Sequence, residues 1–298
     1  MEGLRAISSP VHVNDHWLNR YLVLDGLQLE PLERWLYEQV ESPTYEPLYL
    51  GTPLEGCRGI SPCLVQLQDN DPLWKRFLES GVEGKWGWGF ASSAGFDELL
   101  QHLRWLLFVE HPLEGEKILR VASADVMRLL LSAEMSPQQS ELLGDMETAW
   151  FPVNKHGEVS WYEVANERTE RSQREASFQL QQAHLDALSH IAWERFAEEL
   201  STHLDTFFSS GVFLSAHGGS HLAAERVIHL TRELGFTGRR AHYYMANILG
   251  AHGEQALDDH VMPDMAALLQ RPDQRAPMER LKAAAEASSR LMNTEKQV

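Results

Sequence analysis

Between residues 21 and 109, short β-type runs alternate with amphipathic helical segments, and that order restricts this part of the chain to an α/β lobe. Leu22-Val23-Leu24 ends at Asp25-Gly26, a turn signal. Leu32, Leu36 and Val40 recur at helical spacing, with Trp35 on the same side. Leu48-Tyr49-Leu50 and the run from Cys63 to Leu67 have the length of strands. Asp71-Pro72 supplies the cap and first-turn proline of a second helix, on which Leu73, Phe77 and Leu78 face inward. Gly87-Trp88-Gly89-Phe90 alternates small and large residues. Glycine weakens a strand unless something must approach its backbone closely. Phe96, Leu99, Leu100, Leu103 and Leu107 then form the stripe of a third helix.

Further on, 117–122 predicts another strand and 125–135 a helix, after which Ser136-Pro137 starts a short one with the hydroxyl as N-cap. A closing β-hairpin is expected from 148–153 and 158–164, around the turn 154–157. The stretch 166–173 is polar and doubly charged without an apolar residue, and it marks a boundary. The expectation is an α/β N-terminal lobe, a mixed sheet flanked by helices, over 1–165, and an all-helical C-terminal lobe over 166–298. In the second lobe Leu185, Leu188, Ala192, Phe196, Leu200 and Leu204 predict one long helix broken at Ser209-Ser210-Gly211. Segments 222–234, 237–249, 261–269 and 278–291 predict four more helices, with Gly235 as a C-cap.

The formal net charge of −17 argues against a nucleic-acid partner, because neutralising phosphates needs clusters of Lys and Arg. Two cysteines, Cys57 and Cys63, with no CxxC, suit idle thiols in a reduced compartment. The first ten residues lack the basic start and apolar core of a signal peptide. The longest apolar run, Trp105 to Val109, is far short of the ~20 residues that cross a bilayer. A cytoplasmic protein without a membrane partner is expected.

Reactive constellations are missing. His217-Gly218-Gly219-Ser220 is similar to an esterase oxyanion loop, but its partner, a Gly-x-Ser-x-Gly elbow, is absent. His217 and His221 lie four apart with glycines between them, and no His-Glu-x-x-His occurs. No phosphate loop or dinucleotide fingerprint exists. The reading is therefore no catalytic residue, no cofactor and no metal.

The ordered series carries a resemblance. Tyr21-Leu-Val-Leu-Asp-Gly26 is followed by Tyr45-Glu-Pro-Leu-Tyr-Leu-Gly-Thr-Pro53, then Pro62-Cys-Leu-Val-Gln-Leu67, the Trp-Gly run 86–92, and His102-Leu103-Arg104. Over roughly 20–153 this resembles the effector-adaptor chaperones of bacterial type VI secretion systems. The chain departs from the family's usual turns at Val121–Asp125 and at Leu143-Gly144-Asp145. The resemblance implies a non-enzymatic adaptor that binds a type VI effector, often through its N-terminal region. It would deliver that effector to VgrG or to a PAAR-type spike tip. An immunity protein that neutralises a toxin, and less readily a hydrolase, are the alternatives. The junction of the two lobes is the natural place for cargo. Candidate partner-binding residues are Trp86, Trp88 and Phe90, whose glycine-spaced aromatics suit an interface anchor or a packed core alike, and Arg239, Arg240, His242 and Tyr243.

Overall fold

The computed structural model describes residues 4–10, 18–68, 72–133, 138–155, 158–166 and 176–295. The expected cap at Asp71, the restart at Ser136-Pro137, residues 156–157 of the hairpin turn and 167–173 of the polar stretch lie outside the described residues. The chain forms two compact units, Met1–Ile191 and Ala192–Val298.

The first unit is built on a seven-stranded sheet. Its strands in chain order are β1 (Leu4–Ile7), β2 (Asn19–Leu24), β3 (Thr44–Pro47), β4 (Cys63–Leu67), β5 (Gly87–Ser92), β8 (Thr148–Lys155) and β9 (Glu158–Ala165). Spatially the order is β1-β9-β8-β5-β2-β4-β3, antiparallel throughout. A second, three-stranded sheet is mixed. In it β6 (Phe108–His111) pairs antiparallel with β7 (Gly115–Ile118) and parallel with β10 (Phe178–Gln179).

Alternation along the strands sends side chains to two buried faces. Tyr21, Val23, Leu64, Trp88, Phe90 and Phe151 meet α3 (Phe96–Leu106) and α4 (Ala124–Ala133) on one side. On the other, Leu22, Leu24, Cys63, Val65 and Trp150 meet α1 (Leu32–Gln39) and α2 (Pro72–Arg76), which runs on into a π-turn at Phe77–Gly81. Because both faces are covered, residues 21–24 of β2 and 63–65 of β4 read as continuous apolar runs rather than alternating ones. The short helix α5 (Gln138–Leu143) closes the first face through Leu142 and Leu143.

Two expected strands shift. The apolar residues Leu48-Tyr49-Leu50 form turns, not a strand: Leu50 N–H donates to Pro47 O (3.3 Å) and Thr52 Oγ1 donates to Tyr49 O (2.7 Å). Leu48 is apolar because it is buried beneath that turn. The strand expected at 117–122 runs instead over Gly115–Ile118 as β7, since the chain turns back at Val121 N–H to Leu119 O (2.9 Å).

The glycines of β5 follow from what approaches them. A β-carbon on Gly87 would lie 1.9 Å from Val23 O, and one on Gly89 3.2 Å from the Trp74 ring.

The second unit is all-helical, with its own core. The helix α6 (Gln182–Phe208) reaches it from the first unit and breaks at Ser209–Gly211. Then come α7 (Val212–Ala216), α8 (Ser220–Glu233), α9 (Arg239–His252), α10 (Pro263–Gln270) and α11 (Pro277–Glu295). Gly235, at φ +77°, follows α8 as its left-handed C-terminal residue. Phe196, Leu200, Leu204, Phe213, Val227, Met245, Leu249 and Leu281 are among the residues that fill the core.

Candidate partner-binding face

The three aromatics of the first unit occupy different depths. Trp88 and Phe90 are fully buried. The Trp88 indole donates to Val121 O at 2.7 Å, and its ring packs 5.1 Å from Phe151 and 5.6 Å from Phe90. These contacts make the two side chains part of the sheet core, closed to a partner in this conformation. Trp86 is half-buried and meets Trp35 edge-on, with ring centroids 5.0 Å apart.

The motif residues behind the resemblance are structural joints. Arg104 reaches from α3 to the end of β3. Its Nε donates to Leu48 O (3.1 Å), and its Nη2 to Pro47 O (3.1 Å) and Glu46 (3.2 Å). His102 is buried, with Nε2 2.9 Å from Leu142 O, and its ring lies against Gly144. The divergent turn at Leu143–Asp145 keeps this role: Gly144 adopts φ +60°, and Ser92 Oγ donates to Asp145 O (2.6 Å). At the other divergent turn, Val121 O is the acceptor for Trp88, and Ser123 O accepts from Met127 N–H at the start of α4.

The other four candidates converge in the second unit. Helix α9 starts at Gly238, whose φ of +87° turns the chain into it. Arg239 and Arg240 are exposed, His242 is buried and Tyr243 is half-buried. Arg239 pairs with Glu199 and lies 4.7 Å over the Phe196 ring. Arg240 lies 5.5 Å over Tyr244. The ring of His242 touches both Trp193 (5.6 Å) and Phe196 (5.2 Å). Its Nδ1–H donates to Gly238 O at 2.9 Å, which leaves a buried Nε2 without a hydrogen-bond partner among the described residues. Burial holds the His242 pKa below the ordinary imidazole value against that hydrogen bond, and nearby Arg232 lowers it further.

Four residues not singled out from the sequence complete the face. Arg232, in the last turn of α8, stacks 3.6 Å over Trp193. Tyr243 meets His203 (5.1 Å), and His203 meets Phe207 (4.8 Å), an aromatic that is 66% exposed. The 193, 196, 203, 207 spacing puts these side chains on one stripe of α6. That spacing was the available signal, but the arginine partners come from other helices.

A cavity of about 680 Å³ lies elsewhere in the second unit, lined in part by Val212, Phe213, His217, His252, Glu254 and Met262. There His217 Nε2 sits 3.4 Å from Glu254, which Arg226 also holds through Nε at 2.8 Å. Ser220 Oγ instead donates to Asp205 (2.7 Å) and accepts from Ser201 (2.9 Å). The pair that a hydrolase reading requires is thus committed to separate partners, and among the described residues no histidine is hydrogen-bonded to the hydroxyl. Among the described residues no group of three or more His, Cys, Asp or Glu could hold a metal ion, and no helix is long and apolar enough to cross a membrane.

Comparison with known proteins agrees with the series of motifs. The family described as a domain of unknown function, DUF4123, matches residues 20–141, from β2 to α5. The chain is 29% identical over 267 residues to a protein of Vibrio cholerae serotype O1 named Accessory protein VasW, covering 89% of this chain and 86% of that one. No solved structure matches. The match from β2 to α5, and a relative aligned across both units, support the resemblance to the type VI secretion effector-adaptor family.

Proposed function

We propose that this protein is a non-enzymatic adaptor in the cytoplasm of the producing cell. It binds one type VI effector, through that effector's N-terminal region, and loads it onto VgrG or a PAAR-type spike tip. The observation that carries the reading is the alignment along 89% of the chain with a protein named for an accessory role. The chemistry supports it: the serine and histidine with catalytic potential are bound to separate structural partners.

Cargo is held at the α6–α9 face, with Arg239, Arg240, His242 and Tyr243 among its residues; on the first unit, taken by itself, half-buried Trp86 is a candidate contact. Tryptophan, tyrosine and arginine are the residues that dominate protein interfaces. Releasable binding needs no more than a standard interface of ~1,200–2,000 Å².

Deletion of the gene tests the reading. One toxin should remain in the cell while the secretion apparatus keeps firing, and that toxin should co-purify with the adaptor after its toxic C-terminal domain is removed. Normal export of every toxin would refute the adaptor. Binding only to the toxic domain would make it an immunity protein.

A further inference from the structure

The aromatic contacts of the second unit form one continuous ladder. From Trp193 it passes to Phe196 (5.9 Å), Tyr243 (5.9 Å), His203 (5.1 Å) and Phe207 (4.8 Å). Trp193 and Phe207 are fourteen residues apart on α6, so the ladder is ~21 Å long at 1.5 Å per residue.

Its ends differ in chemistry. At the Trp193 end stand three arginines, all close to the α8–α9 turn: Arg232 over Trp193, Arg239 over Phe196 and Arg240 over Tyr244. A guanidinium stacked on a ring is oriented while its N–H groups stay available at the edge, the geometry that receives a carboxylate in two parallel bonds. Arg239 already holds Glu199. Arg232 and Arg240 form no ion pair among the described residues. The acidic side chains of the same helices are engaged too: Glu233 by His229, while Glu194 and Glu198 have partners of their own. Buried His242 has a lowered pKa and adds no charge at neutral pH. At the other end Phe207 projects into solvent, 66% exposed, with no charged residue from 206 to 212.

We infer that this face docks a polarised protein segment, acidic at the end that meets Arg232 and Arg240 and apolar at the end that meets Phe207. This rests on the adaptor reading and names the chemistry of its cargo. The ladder's length sets the segment's size at ~14 residues if helical or ~6 if extended. Segments of this kind lay an apolar stripe on a groove and fix their direction by charge at one end. The arginines of this corner thus select cargo that the remainder of a −17 chain repels.

Panning a random 16-residue phage-displayed peptide library on the full chain tests this without a known cargo. A counter-selection uses the double variant Arg232→Glu/Arg240→Glu, and circular dichroism checks its fold. Expected are peptides with Asp or Glu clustered at one end and aromatic or aliphatic residues at the other. They should lose at least tenfold in binding to the double variant, lose less to Arg232→Gln/Arg240→Gln, and weaken against Phe207→Ser. A basic or uncharged consensus would overturn the inference, as would peptides that the charge-reversed variant retains, or no enrichment at all. So would binding of a 20-bp duplex DNA that depends on the same arginines. An acidic consensus in a strain whose deletion mutant exports every toxin would keep the docking chemistry and sink the adaptor. A failed consensus alongside a real export defect would do the reverse.

Discussion

Gly87 shows how narrowly single residues are determined in the sheet. Its φ is +148°, and the oxygen of Val23 occupies the place of a side chain, 1.9 Å from an ideal β-carbon. That oxygen belongs to β2, which pairs with β5 across Leu24 and Gly87, so it cannot retreat without opening the ladder. Gly87→Ala is expected to destabilise by ~3 kcal/mol or more, combining backbone strain with a displaced strand. Gly51 is the control. It has φ +72° but, among the described residues, nothing within 4 Å of an added β-carbon, so Gly51→Ala should cost only ~1–2 kcal/mol. Urea midpoints of the two variants against wild type check both, and equal losses would show that φ rather than the Val23 contact matters. The glycine-spaced aromatics of β5 were visible in the sequence but not their meaning. The same spacing serves an anchor reaching outward and a strand pressed between Val23 and Trp74, and only the packed sheet separates them.

At the scale of elements, the most informative segment is α3. Its apolar stripe was legible because 3.6-residue periodicity survives wherever one face meets a core. The purpose of Arg104 was not, because its partners lie 56 to 58 residues earlier in the chain, at Glu46–Leu48. Arg104→Met keeps an unbranched apolar stem and removes every donor. It should cost ~2–3 kcal/mol by leaving the Pro47 and Leu48 carbonyls short of partners. Protection of the amides in β3 and the following turn, measured by hydrogen exchange, should fall first. The displaced strand at Leu48–Leu50 has a related cause: burial makes a turn apolar, and from sequence that imitates a strand. The aromatic ladder escaped detection because it joins Phe196 to Tyr243 across two helices, and no local pattern records such a pairing.

A second element-scale joint ties α8 to the turn after α9. Glu254 accepts from Arg226 at 2.8 and 3.1 Å and sits beside His217. The Arg226 guanidinium holds the carboxyl of Glu254 below its ordinary value. A depressed carboxylate contributes stability that is complete above about pH 4.5 and is lost as pH falls through the lower folded-state value. Glu254→Gln lacks that contribution. Its deficit relative to wild type should be present at neutral pH and should close on acidification below about pH 4.5, as thermal melts across that range would show. A deficit that stays constant with pH would assign the effect to lost packing instead.

For the whole molecule, charge is distributed unevenly. The unit Met1–Ile191 holds 29 acidic and 15 basic residues, and Ala192–Val298 holds 14 and 11. The first unit therefore supplies most of the net charge of −17. An acidic segment approaching the arginine corner meets two opposed fields, a long-range repulsion from the chain as a whole and a short-range attraction from Arg232 and Arg240. Salt separates them, because screening acts on the distant charges first. The Debye length is ~30 Å at 0.01 M ionic strength and ~8 Å at 0.15 M. Between those limits the repulsion fades while stacked guanidinium–carboxylate contacts persist. The association rate of an acidic peptide selected on this face should thus rise, by roughly two- to fivefold, as salt increases from about 10 to about 150 mM. Dissociation should also quicken once salt reaches the contact pairs, so affinity passes through a maximum. A basic segment would behave oppositely, its association slowing steadily with salt. Stopped-flow fluorescence of the labelled acidic peptide over that range checks this, and a monotonic fall in its association rate would mean that attraction to the arginine corner outweighs the chain's repulsion already at long range.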